Sequence, residues 1–264
     1  MAVTSSTDEV TPDLLRVRHL FVNLYLYGTA ASWVLIDGGL KGAADLIVET
    51  AEERFGKGTR PVAVLLTHGH FDHIGAFPEL FDRWDVPVYA HALELPHLTG
   101  LLDYPPPDPT VGKGAMALTS FAYPNKAADF GERMRPLPED GTVPGMPGWR
   151  WTHTPGHTAG HVSFFRDADR CLIAGDAFVT VKQESLYAVA TQTAEIHGPP
   201  AYFTPDWGAA RESVERLRAL HPAIAATGHG PVMRGTELER GLDTLAAEFD
   251  EIAVPERGRY VRKS

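Results

Sequence analysis

The sequence predicts an α/β layered fold, sheets covered by helices, and three observations carry that reading. Apolar, β-branched runs of strand length alternate with segments of helical periodicity in both halves of the chain. Some of those runs are continuously apolar, the pattern of strands buried on both faces. The chain has 264 residues, 44% hydrophobic and 22% charged, enough to bury a substantial core without covalent staples. Its single cysteine, Cys171, excludes an internal disulfide and fits a reducing compartment. Cys171 sits in the apolar run Cys171-Leu172-Ile173-Ala174 and reads as a core residue rather than a ligand.

Taken in order, residues 16–27 and 32–36 flank a Gly28-Thr29 turn and read as a hairpin. Ala44, Ile47, Val48, Ala51 and Phe55 recur at helical spacing before the stop signals Gly56 and Gly58. Residues 62–66 form a short buried strand that ends abruptly in Thr67-His68-Gly69-His70. A helix over about 74–84 and a strand over 86–90 follow. Residues 99–148 hold nine of the 21 prolines, so regular structure is interrupted there, apart from a short helix expected over 113–121. The aromatics Tyr104, Phe121, Tyr123 and Phe130 mark this insertion as a lid or pocket wall rather than a linker. Strands resume at 149–152, 161–165, 171–174 and 223–226. A helix follows Asp206, with Ala210, Val214 and Leu217 on one face. The last helix opens on Thr236-x-x-Glu239, a capping-box pattern, and buries Leu238, Leu242, Leu245 and Phe249. No repeat is visible, and residues 1–264 read as a single domain with an insertion at about 99–148.

The formal net charge of −10 disfavours a phosphate-gripping surface, so no nucleic-acid partner is expected. Residues 1–13 are polar and mildly acidic, without the basic leader and apolar stretch of a secretory signal. No apolar run approaches the roughly 18 residues of a membrane span. A cytoplasmic protein with no membrane partner is the expectation; the oligomeric state stays open.

The chemistry is concentrated in His68-Gly69-His70-Phe71-Asp72-His73, three imidazoles and a carboxylate within six residues. Directly after a buried strand, these side chains emerge at the end of a sheet, where α/β proteins place their sites. Imidazoles so crowded compete for hydrogen bonds and repel when protonated, whereas a divalent metal accepts them all. Three further segments end a strand in a ligand-capable residue: Thr154-Pro155-Gly156-His157, Ala174-Gly175-Asp176 and Thr227-Gly228-His229. Glycine or proline before each allows a tight turn that aims one side chain inward. His153, four residues before His157, reads as structural; His91, His97, His161 and His221 read as surface or backbone-bonded.

This order of motifs resembles the metallo-β-lactamase-fold superfamily, over roughly residues 16–232. The resemblance implies a four-layer αββα sandwich with two divalent metal ions at one edge, zinc first, iron or manganese as alternatives. His68, His70 and His157 would hold one ion, Asp72, His73 and His229 the second, and Asp176 would bridge them. Two such ions share a water, lower its pKa towards neutrality and deliver it to an electrophilic carbon or phosphorus. Asp72 and Asp176 are then the catalytic carboxylates, with Asp72 also orienting the water. Lys182, Tyr187 and His197 are the candidates for the substrate pocket and for an acid to the leaving group. The apolar insertion, with Trp149 and Trp151 after it, points to a small-molecule ester, thioester or lactone. Glyoxalase II-like thioesterases share the ligand order, but here no basic cluster follows His229. Quorum-quenching lactonases place a tyrosine soon after the bridging aspartate, where this chain has Ala177-Phe178-Val179-Thr180. A mononuclear-iron persulfide dioxygenase and a phosphodiesterase or nuclease of the same superfamily are the alternatives.

Overall fold

Two β-sheets face each other across a shared core, and helices cover the outer side of each. The computed structural model describes residues 5–112, 114–183 and 190–261. The first sheet has the order β1 (Ser5–Thr11), β2 (Leu14–His19), β3 (Val22–Thr29), β4 (Ser32–Ile36), β5 (Ala63–Leu65), β6 (Val88–Ala90) and β7 (Met134–Pro136). It begins as an antiparallel meander and becomes parallel from β4 onward. The second has the order β12-β11-β10-β9-β8, built from β8 (Trp149–His153), β9 (Val162–Arg166), β10 (Cys171–Gly175), β11 (Ile224–Thr227) and β12 (Met233–Arg234).

Side-chain alternation sorts the strand residues into three apolar layers. On β4, Trp33 and Leu35 face outward with Leu24 and Leu26 of β3, against Ile47, Ala51 and Phe55 of α1 (Ala44–Phe55). Val34 and Ile36 face inward with Tyr25 and Tyr27, meeting Phe164, Cys171 and Ile173 of the opposite sheet. Phe165, Leu172 and Ala174 turn to the far side, against the helices Trp207–Arg218 and Gly235–Ala247. Helix, sheet, sheet, helix is therefore the layer order, as expected. Asp206 caps the first of these two helices by accepting from the Ala209 N–H.

Several local expectations give way to tertiary contacts. The run 16–27 holds two strands, because the chain reverses at Leu20 with a φ of 60°. The acidic start forms β1, an exposed edge strand with no apolar alternation to announce it. The helix expected over 74–84 is broken into α2 (Phe71–Ile74) and α3 (Phe77–Phe81). At the break, the Gly75 N–H donates to Gly39 O at 2.8 Å, and a Cβ on Gly75 would lie 2.2 Å from Lys41 N. Close backbone approach wins over helix continuation. The 99–148 stretch is not wholly an insertion, since β7 extends the first sheet parallel to β6, with Pro136 tolerated on the edge. Just before that stretch lies α4 (Leu95–Leu98), and within it α5 (Ala115–Thr119) realises the expected short helix. The capping box is not formed: the penultimate helix, α7, starts at Gly235, whose N–H is tied to Ala223 O, and no side chain caps it. Phe249 belongs to a separate turn, α8 (Phe249–Ile252), because Glu248 leaves helical geometry at φ −118°. The helix after Asp206 is accordingly α6. Trp149 and Trp151 pack into the layer between the sheets. Among the described residues no helix is long and apolar enough to cross a membrane.

The inter-sheet layer makes a direct prediction. Cys171 is fully buried, and burial pushes its thiol up to about 12. A disulfide reagent at pH 8 should label no thiol in the native protein and one per chain in denaturant. Rapid native labelling would contradict this packing of the sheets.

Candidate metal centre

Four strands deliver the ligand-capable residues to one edge of the sandwich. β5 runs into the loop carrying His68 and His70 and the short helix α2, which carries Asp72 and His73; β8, β10 and β11 run into the turns bearing His157, Asp176 and His229. Gly175, at φ 56°, lets the chain turn at the point where Asp176 enters, and a Cβ there would lie 2.6 Å from His161 Nε2. All seven side chains are buried, none more than 7% exposed. Their donor atoms form three overlapping groups, His68/His70/His157, His68/His73/Asp176 and Asp72/His73/His229, each within 4.8 Å.

The surrounding hydrogen bonds fix which ring nitrogen faces the cluster. The Thr67 hydroxyl donates to Asp37 Oδ2 at 2.9 Å, so it accepts from His68 Nδ1 at 3.1 Å, leaving His68 Nε2 as the bare lone pair. His73 Nδ1–H donates to Asp37 Oδ2 at 2.9 Å, again freeing Nε2, which lies 3.8 Å from Asp176 Oδ1. His229 Nδ1–H donates to the Phe21 carbonyl at 2.8 Å, and its Nε2 stands 3.2 Å from Asp176 Oδ2 and 3.4 Å from Asp72 Oδ2. The Thr204 hydroxyl donates to Pro200 O, so it accepts from His157 Nδ1, and His157 Nε2 meets His70 Nδ1 at 2.9 Å. His68 Nε2, His73 Nε2 and Asp176 Oδ1 are buried with no hydrogen-bond partner. Lone pairs left so in a dry interior are costly unless a cation takes them. Imidazole and carboxylate donors suit zinc, iron or manganese, so the residues present fit a divalent metal.

Electrostatics divide the cluster in two. Burial holds His68 and His70 well below the ordinary imidazole range, and brings His157 down to about 4. All three rings are neutral, the form a metal needs. Burial opposes charge on Asp176 as well, yet His229 and His73 hold its carboxyl well below the usual range. Burial raises the carboxyl of Asp72 despite the same two rings. His73 and His229 are raised against burial, by Asp37 first in one case and by Asp176 first in the other. Positive charge is thus drawn to the half of the site that holds the carboxylates.

All seven residues expected as ligands converge. Tyr187 lies outside the described residues. Lys182 and His197 come together in a cavity of about 450 Å³ walled by Val111, Ala115, Ile252 and Val254, and none of the seven lines it. His153 turns away, stacking on His91 at 4.2 Å and bonding to Ala159 O. His161 is backbone-bonded as expected, but buried beneath the centre: its Nε2 accepts the Asp176 N–H at 2.9 Å and its Nδ1–H donates to Thr154 Oγ1. Thr154 in turn donates to Ser163, and Ser163 to Ala174 O, closing a ring around the Asp176 turn. Sequence reasoning missed Asp37, which accepts from Thr67 N, Thr67 Oγ1 and His73 Nδ1. Its signal was slight: an aspartate ending β4 before Gly38-Gly39.

Asp37 provides a test. It sits at φ 60°, which asparagine tolerates, so Asp37→Asn keeps the backbone while replacing one acceptor oxygen with a donor. Bound metal per chain should fall, with a loss of stability of about 3–5 kcal/mol. Elemental analysis and urea titration check both; unchanged metal content would show that Asp37 does not orient His73.

Comparison with known proteins agrees with this geometry. The sequence profile of the metallo-beta-lactamase superfamily matches residues 17–229. A probable metallo-hydrolase of Bacillus subtilis, YflN, is 48% identical over 221 residues, 84% of this chain and 84% of that protein. A second from the same organism, YybB, is 31% identical over 192 residues, 70% of this chain and 74% of that protein. The crystal structure of TTHA1623 in a di-iron-bound form superposes with a TM-score of 0.55 at 27% identity, covering 92% of this chain and 97% of that one. The chain belongs to the metallo-beta-lactamase superfamily.

Proposed function

We propose that the protein is a dinuclear metal-dependent hydrolase of a small ester, thioester or lactone. The observation that carries this reading is the convergence of seven buried ligand groups into three overlapping groups. His68 Nε2, His70 Nδ1 and His157 Nε2 would hold one divalent ion. Asp72, His73 Nε2 and His229 Nε2 would hold the other. Asp176 suits the bridge, because its Oδ2 lies 3.5 Å from His157 Nε2 and 3.2 Å from His229 Nε2, one ring of each set. Zinc is the first choice, and the di-iron form of TTHA1623 supports iron as a second.

When bound, such ions supply a water of lowered pKa and a Lewis acid for the substrate oxygen. Asp72, a ligand with a carboxylate oxygen at the same face, would accept a hydrogen bond from the attacking water and orient it. The walls beside the centre are apolar. Phe203 lies 4.5 Å from His70, Phe71 lies 5.6 Å from Tyr123, and Phe21 stacks on His229 at 6.0 Å. They exclude water and favour an apolar acyl group over a highly charged one. Lys182 and His197 would meet the distal or leaving-group end, a reading supported by Gln183, the neighbour of Lys182 in sequence, which reaches His229 Nδ1 at 3.2 Å. Tyr187 stays in this proposal on its place in sequence. A small-molecule substrate, no nucleic-acid partner and a cytoplasmic site of action complete the reading, supported by the net charge and the unpaired Cys171.

A screen of purified protein on ester, lactone, thioester, β-lactam and phosphodiester substrates tests it. The reading expects turnover of an uncharged ester, thioester or lactone, and a drop in kcat of at least about 10²-fold in His229→Ala. Oxygen uptake with a persulfide, insensitive to His229→Ala, would replace hydrolysis by one-iron oxidation. Turnover confined to phosphodiesters would replace the substrate class.

A further inference from the structure

One support of the ligand cluster centres on a side chain outside both proposed ligand sets. Glu94 precedes α4 and is fully buried. Its Oε2 accepts the Gly69 N–H at 2.9 Å and the Tyr104 hydroxyl at 2.5 Å. Its Oε1 accepts the Thr158 hydroxyl at 2.7 Å and the Gly160 N–H at 2.9 Å. Four donors fill the acceptor capacity of one carboxylate. Among the described residues no cation forms an ion pair with it within 4.0 Å, so it serves no surface charge network.

Three of the four donors lie in the ligand loops. Gly69 lies between His68 and His70, while Thr158 and Gly160 follow His157. Glu94 therefore ties the two loops that carry the three-histidine set, which the sequence separates by 87 residues between His70 and His157. The contact is close on both sides: a Cβ on Gly69 would lie 2.4 Å from the Tyr104 hydroxyl, and one on Gly160 would lie 2.7 Å from Glu94 Cγ. Tyr104, from the proline-rich stretch, stacks on His97 at 4.0 Å and presents an edge to His70 at 4.8 Å. None of these contacts is made to Asp72, His73 or His229; Asp37 holds His73 and, through the Thr67 hydroxyl, also reaches His68, while the Phe21 carbonyl holds His229.

We propose that Glu94 is a positioning residue for the three-histidine half of the centre alone, setting the distance between the His68/His70 loop and the His157 turn and seating Tyr104 against them. The proposal rests on the dinuclear reading above. It makes the start of the 99–148 stretch part of the support for the metal, not only a wall for substrate.

Glu94→Gln is the informative variant. Each carboxylate oxygen accepts one backbone N–H, from Gly69 or from Gly160. Whichever way a glutamine amide faces, its NH₂ group meets an N–H that cannot accept, so one of the two loops is released. Full-length protein stripped with chelator would be titrated with cobalt(II) against a competing chelator, following the visible cobalt spectrum. His157→Ala identifies which of the two sites is the three-histidine one. Glu94→Gln should weaken that site by about 10–100-fold and shift its cobalt bands, leaving the other site within about twofold. Asp37→Asn, which disturbs His73 directly and His68 through Thr67, should weaken both sites. Equal weakening of both sites, or none, in a folded Glu94→Gln protein overturns the proposal. If Glu94→Gln fails to fold, Thr158→Val, which removes one donor at constant shape, is read instead: a selective loss of several-fold supports the role and an unchanged site overturns it. Wild-type protein that binds no cobalt at all would overturn the dinuclear reading itself, a distinguishable failure.

Discussion

Seven ligand-capable side chains occupy one dry edge of the sandwich, and their mutual exclusion in the absence of a cation is the constraint around which the rest of the structure is arranged. Five imidazoles and two carboxylates in overlapping groups whose ligand atoms lie within 4.8 Å cannot all satisfy one another. The protein directs their inward nitrogens at a common centre by tying up the outward ones. A threonine hydroxyl, a carboxylate, a main-chain carbonyl and another threonine take the outer N–H groups of His68, His73, His229 and His157. Ring orientation and tautomer are thereby set before any ion arrives, which is the usual way a protein prepares imidazole ligands.

That arrangement is possible because of the sheets. The residues that support His229 lie on the other sheet: Asn23 donates to Thr227 O and Gly230 O, Tyr25 to Thr227 O, and Arg16 to Gly230 O. Packing between β2–β3 and β11 therefore fixes the last ligand. Asp37 fixes His73 on the helix after β5 and, through Thr67, His68 in the loop before it, and the His161–Thr154–Ser163 ring fixes the turn after β10. Each support is a buried polar group with its partners in place, and each is expensive to disturb singly. The site's rigidity and the fold's stability draw on the same hydrogen bonds.

How far the sequence revealed this depended on distance along the chain. The loop from His68 to His73 was legible because its chemistry is local, and the turns before His157, Asp176 and His229 were legible because proline or glycine marks them. The layers were legible in the alternation of Trp33, Val34, Leu35 and Ile36. Asp37 and Glu94 were not, since each acts on ligand-loop residues 25 or more positions away, with nothing periodic to flag it. The break at Gly75 was hidden for a similar reason: a helical pattern over 74–84 carries no trace of the Gly39–Lys41 backbone that presses against it. The strand in the proline-rich stretch, Met134–Pro136, is three residues long and owes its existence to the open edge of β6. Tertiary contact decided each case where local pattern misled.

The central claim is that this cluster is a two-cation centre divided between a three-histidine set and an aspartate–histidine set joined by Asp176. Crystals of protein purified without chelator, measured at the absorption edges of zinc, iron and manganese, test it most directly. The account predicts two anomalous peaks about 3.5–4 Å apart, one against His68, His70 and His157 and the other against Asp72, His73 and His229, with Asp176 touching both. A single peak, or full-occupancy density away from these side chains, would contradict it.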